Sequence, residues 1–160
     1  CTLAVDRRPL KGTTPAVVVE TIEATTLALV GALGPLADRL CAVGVSVSGD
    51  VDTSLGVVRE SAIMGWTDVP LGPVLSGRLG REVLVENDVR ALTIGEHWFG
   101  VGVGTDLFAI VTIGRGIGSG LHINGDVVAG AYGVAGEIGH LPLTSPRVFV
   151  LWVPARCPAR

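Results

Sequence analysis

Three short stretches of this 160-residue chain carry residue types that can do chemistry. Asn87-Asp88 follows the apolar run Val83-Leu84-Val85-Glu86 and precedes a helical pattern, so the pair stands where a strand hands over to a helix. In open α/β sheets that end of a strand borders the ligand crevice. An aspartate there can orient an alcohol and take its proton as the oxygen attacks phosphorus, while the Asn87 amide binds a second hydroxyl. The same residue types cap helices, and for an isolated Asn-Asp pair capping is the commoner role. The second stretch, Thr112-Ile113-Gly114-Arg115-Gly116-Ile117-Gly118-Ser119-Gly120, can offer backbone N–H groups to a phosphate with no Cβ in the way. A tight turn in a twisted hairpin explains the same glycines. No register gives GxGxxG, and the lone lysine, Lys11, excludes a Walker A loop. Arg115 is either a phosphate-capable guanidinium or a plain exposed charge. In the third stretch, Gly133 to His140, Glu137 and His140 are spaced to share a face of a helical turn. Both can hydrogen-bond hydroxyl groups. Zinc is not expected, because the one sulfur after His140 is Cys157 and structural zinc needs four ligands. His97 and His122 are isolated and read as structural or exposed. No Gly-x-Ser-x-Gly elbow and no adjacent Cys-His pair is present.

The elements that must position these residues follow from patterning. Thr14-Pro15 opens a helix over about 15–33, with apolar residues from Val18 to Leu33 on one face and Gly34-Pro35 ending it. Cys41 to Val47 is a valine-rich buried strand that runs into a loop at Ser48-Gly49-Asp50. Val57-Val58 and Val83 to Glu86 are further strands, with a short helix over Leu71 to Leu79 between them. Asn87-Asp88 opens a second clear helix, Val89 to about Phe99, stopped by Gly100. Gly100 to Gly104 lacks a hydrophobic period and is expected to be a hinge or domain boundary. Leu107 to Ile113, a glycine-rich turn over Gly114 to Gly120, Leu121 to Ile123, and Asn124-Gly125 leading into Val127-Val128 predict a β-meander. Strands alternating with helices favour an α/β or α+β arrangement.

Composition narrows the function classes. Apolar residues make up 48%, charged residues 17%, and the mean hydropathy is +0.56, so a membrane span must be considered. The longest charge-free run, the fourteen residues Ala24 to Ala37, is broken by Gly31, Gly34 and Pro35 and falls short of the roughly 20 apolar residues a span needs. Twelve basic against fifteen acidic residues, with no Lys/Arg cluster, argue against a nucleic-acid contact from this segment. Three scattered cysteines form no disulfide framework and fit a reducing cytoplasm. The N-terminus has neither an initiator Met nor a signal-peptide layout, and reads as a start in mid-chain. Glycine, 23 residues, is about twice its usual share while aromatics are 4%, which directs attention to backbone function.

Taken in order, Val43 to Asp52, Gly65-Trp66-Thr67-Asp68-Val69-Pro70-Leu71, Val85-Glu86-Asn87-Asp88, Thr112 to Gly120 and Ala135-Gly136-Glu137-Ile138-Gly139-His140 resemble the ROK family over about residues 14–145. That family comprises bacterial sugar kinases of glucokinase type and sugar-responsive transcriptional repressors. The resemblance implies an α/β actin-like ATPase fold of hexokinase, ribonuclease H-like type, here incomplete. Residues 1–103 would belong to the N-terminal lobe and 104–146 to the start of the C-terminal lobe, with 147–160 an atypical tail. It implies Asp88 as catalytic base, Asn87, Glu137 and His140 as sugar ligands, and Gly114, Gly116 and Gly118 as a phosphate loop. ATP and Mg²⁺ would be the cofactors, a small sugar the partner, a homodimer the assembly and the cytoplasm the location. Three features depart from the kinase pattern: no Asp-x-Gly-Gly-Thr loop, no cysteine cluster after His140, and Arg115 where the kinases have Thr. The expectation is therefore a sugar kinase, with the effector domain of a repressor or an inactive truncated fragment as alternatives.

Overall fold

The structure, a computed structural model, describes residues 2–130, 135, 136 and 138–140, without the side chain of His140. The chain divides into two compact units, Cys1–Glu86 and Asn87–Arg160. The first contains helix α1 (Pro15–Leu33), strands β1 (Ala42–Val47), β2 (Asp50–Asp52), β3 (Val57–Ser61) and β4 (Trp66–Val69), helix α2 (Leu71–Leu79), and strand β5 (Glu82–Asn87), whose last residue begins the second unit. β1 pairs with β5, and β2, β3 and β4 form an antiparallel sheet in that order. Pro15 opens α1, its fixed φ already helical and its missing N–H one the helix could not have used. Val18 and Val19 of α1 meet Leu71 and Leu75 of α2, Val83 and Val85 of β5, and Val51, Val58 and Trp66 of the small sheet in one buried cluster. The Trp66 indole N–H donates to the Thr13 carbonyl, so the ring is buried without an orphaned donor.

The helix bounds 15–33 and 71–79 match their sequence expectations. The chain continues past Leu33 as a 3-10 turn, Gly34–Arg39, instead of leaving helical geometry at once. Together, Pro15–Arg39 form one helical segment with a hydropathy of 1.7, long and apolar enough by composition to cross a membrane. The charge-free-run criterion missed this because it stopped at Glu23, although two carboxylates in a long apolar helix do not abolish its mean hydropathy. In this fold Val18 and Val19 are the buried residues of the segment, and Glu23 pairs with Arg78 of α2 at 2.8 Å.

β2 and β4 were not expected. Asp50 opens β2, so the predicted loop shrinks to Ser48-Gly49. Gly49 takes φ +135°, with its α-carbon against the Glu60 carbonyl, where a Cβ would overlap that oxygen. The hairpin is tied by Asp52, which accepts from Ser54 Oγ at 2.6 Å, the Leu55 N–H at 3.2 Å and the Arg59 guanidinium. The Ser54 hydroxyl and then Arg59 hold the Asp52 carboxyl down to about 2, below its ordinary 3.8. A carboxyl depressed in the folded state contributes stability above its unfolded value, lost as pH falls towards the folded one. Asp52→Asn should therefore melt at a lower temperature than the parent at pH 7, and the difference should shrink from about pH 4 and vanish near pH 2. A melting-temperature difference independent of pH over that range would refute it.

The second unit contains α3 (Asp88–Phe99) and an antiparallel meander of β6 (Leu107–Ile113), β7 (Ile117–Ile123) and β8 (Asp126–Val127), followed by a short 3-10 turn, Ile138–His140. Asn124-Gly125 makes the β7–β8 turn with both residues at positive φ, as the dipeptide predicts. α3 covers one face of this sheet. Beneath it His122 is fully buried, its ring stacked 3.9 Å from that of His97 and 4.9 Å from that of Phe108. His122 is thus a structural core residue. Gly100 to Gly104 is a turn bound back to α3: the Gly100 and Gly102 N–H groups donate to the Glu96 carbonyl, and the Val101 N–H to the Glu96 carboxylate. These bonds end α3, and the division into compact units falls between Glu86 and Asn87.

Candidate functional site

Asn87 ends β5 in extended geometry and caps α3: its Oδ1 accepts from the Val89 N–H at 2.9 Å and the Arg90 N–H at 3.0 Å. Two of the N–H groups a helix start leaves without partners are thereby satisfied. The capping alternative is realised in Asn87. Asp88 is the first helical residue, exposed, with Oδ1 2.9 Å from the Val89 N–H. Since its neighbour does the capping, the Asp88 carboxylate is placed by the helix start but is not consumed in building it.

The glycine stretch divides into two parts with different physical jobs. Gly114 to Gly116 form the turn between β6 and β7, closed by a bond from the Gly114 N–H to the Gly116 carbonyl. Neither glycine has positive φ, and a Cβ added at either would meet no atom within 4 Å. Packing does not demand glycine there, and the open backbone suits an anionic ligand. Gly118 and Gly120 lie inside β7, a correction to the turn expected over Gly114 to Gly120. A Cβ on Gly118 would stand 3.0 Å from Val89 Cγ2, and one on Gly120 would overlap Thr93 Oγ1. These two glycines let the first turns of α3 lie directly on the strand.

The third motif meets the same strand from its outer edge. β8 pairs with His122 and Ile123, and the Val128 N–H donates to the Leu121 carbonyl at 2.8 Å. Further along that edge the Ser119 N–H donates to the Gly136 carbonyl at 3.0 Å, and Gly139 packs on the Ile117 carbonyl so closely that a Cβ would collide. His140 closes the 3-10 turn; Glu137 and the His140 side chain lie outside the described residues. The start of α3, the bare turn and the Gly136–His140 segment therefore all attach to residues 117–120 of β7. Sequence reasoning missed Thr93, Ser119 and Gly120 as the contacts that do this. The available signal was glycine at every second position of a strand, a mark of close backbone approach.

The mixed α/β arrangement is part of an actin-like ATPase fold, as its structural neighbours show. The ROK family glucokinase from Streptomyces griseus, solved with glucose and AMPPNP, superimposes with a TM-score of 0.70 at 32% identity, covering 82% of this chain and 41% of that one. The glucokinase of Thermotoga maritima is 40% identical over 100 residues, 62% of this chain and 32% of its own length. A putative xylose repressor of a Caldicellulosiruptor species is 35% identical over 109 residues, 68% of this chain and 27% of its own. The chain thus spans about a third or less of these two relatives. The ROK family model matches residues 3–159, and the chain belongs to that family.

Proposed function

We propose that this chain is the sugar- and phosphate-binding part of a ROK sugar kinase, with a hexose as substrate. The observation that carries the reading is the attachment of all three motifs to one stretch of β7. Asp88 accepts the proton of the sugar hydroxyl as that oxygen turns nucleophilic. Asn87, Glu137 and His140 bind other hydroxyls and orient the ring. The backbone of the Gly114–Gly116 turn, with Gly118 behind it, faces phosphate oxygens. Bound ATP with Mg²⁺ supplies the phosphoryl group and neutralises charge on it. In the complete protein the assembly is a homodimer and the location cytoplasmic. The effector-domain reading is supported by the likeness to the xylose repressor.

A coupled assay of ATP consumption over glucose, mannose, N-acetylglucosamine, N-acetylmannosamine and xylose tests the proposal. A hexose should raise ATP use. Glu137→Ala with His140→Ala should weaken its binding more than tenfold, given roughly 1–3 kcal/mol for each unmade buried hydrogen bond. Sugar binding that survives both substitutions removes the proposed contacts. Saturable sugar binding with no turnover selects the effector reading, and neither binding nor turnover selects the inactive fragment.

A further inference from the structure

We propose that Ser119 is a positioning residue that fastens the segment carrying Glu137 and His140 to the strand leaving the glycine turn. Three donors converge on the Gly136 carbonyl: the Ser119 N–H at 3.0 Å, Ser119 Oγ at 2.8 Å and the Ile138 N–H at 2.7 Å. Two of the three come from Ser119, which is only 7% exposed. A carbonyl oxygen has two lone pairs, so with three donors two of them share one and no acceptor capacity is left over.

Sterics fix the same register. Gly136 sits at φ +91° with its α-carbon on the Ser119 carbonyl, and Gly139 sits on the Ile117 carbonyl; a Cβ at either would overlap backbone oxygen. The segment can approach β7 this closely only as glycine. Close approach alone, however, permits sliding along the strand, because backbone oxygens recur at every second residue of its edge. The Ser119 hydroxyl removes that freedom, since it reaches one carbonyl. β8 ends at Val127, so no ladder extends to Ser119 from that side. Ser119 also follows the Gly114–Gly116 turn closely in β7. Its grip therefore places the proposed sugar ligands relative to the proposed phosphate site. That functional consequence rests on the sugar-kinase reading; the fastening itself does not.

The test compares Ser119→Ala and Ser119→Thr with the parent chain by amide hydrogen exchange and by calorimetric titration with the sugar selected above and with MgATP. Ser119→Ala should speed exchange at Ile138, Gly139 and His140 about fivefold, the worth of one net hydrogen bond, with the amides of β6 unchanged. Sugar affinity should fall by a similar factor and MgATP affinity should not. Ser119→Thr keeps the hydroxyl and should restore both. Unchanged exchange at residues 138–140 overturns the proposal, as does acceleration that spreads equally to β6, which marks general loosening. Local acceleration with unaltered sugar affinity, or in a chain that binds no sugar, upholds the fastening and defeats the sugar reading of Glu137 and His140.

Discussion

Asp88→Asn is expected to lower sugar-dependent ATP turnover by about 10²–10⁴-fold, the usual contribution of a positioned general base, while sugar binding changes little. The substitution keeps size and hydrogen-bonding shape, and an Asn oxygen can still accept from the Val89 N–H as Asp88 Oδ1 does. What it cannot do is take a proton. Fold should survive, because Asp88 is exposed and the cap belongs to Asn87; the cost should stay within the roughly 0.3–1 kcal/mol of a first-turn charge. The decisive measurement is kcat beside the sugar dissociation constant. Undiminished kcat would show that Asp88 is not the base. A parallel loss of kcat and sugar affinity would instead make it a ligand.

The second large effect concerns a residue with no chemistry of its own. Gly120→Ala is expected to destabilise the second unit by about 1–3 kcal/mol through overpacking and to lower turnover with it. An added Cβ would overlap Thr93 Oγ1 and stand 3.0 Å from Thr93 Cβ and 3.3 Å from the Val89 carbonyl. Thr93 cannot give way cheaply: it is fully buried, and its hydroxyl donates to the Val89 carbonyl at 2.8 Å. The helix must lift from β7 instead, and Asp88 at its first position moves with it. Thr93→Ala in the same chain removes the overlapping oxygen and should recover much of the loss, as read by thermal melting and turnover. A double variant no more stable than Gly120→Ala would mean that the steric account is wrong.

These two residues were legible to different degrees. Asp88 was legible in position, because the local pattern located both the strand and the helix it joins, but that pattern favoured a cap, and only the family resemblance singled it out as the base. Gly120 looked like part of a turn. A glycine run has no side-chain period to read, so nothing local distinguishes glycine that frees a turn from glycine that admits a helix. β2 and β4 were missed for a related reason: three or four residues are too few for a period to stand out, and they are strands because β3 lies between them. Asn87 was legible only as a choice between cap and ligand, and its two bonds to the start of α3 resolve the capping half of that choice.

The sequence by itself determined the three helices, strands β1, β5 and β6, the Asn124-Gly125 turn and the family, because each is written in residues close together in the chain. Apolar spacing, capping residues and ordered motifs act over one or two turns of backbone. Only the tertiary structure decided which glycines face open space and which face Val89, Thr93, Ser119 and Ile117, and that His122 lies in the core. Those distinctions depend on the distance of closest approach between elements far apart in sequence. The absence of a Cβ acquires a meaning only once the opposing surface is in place.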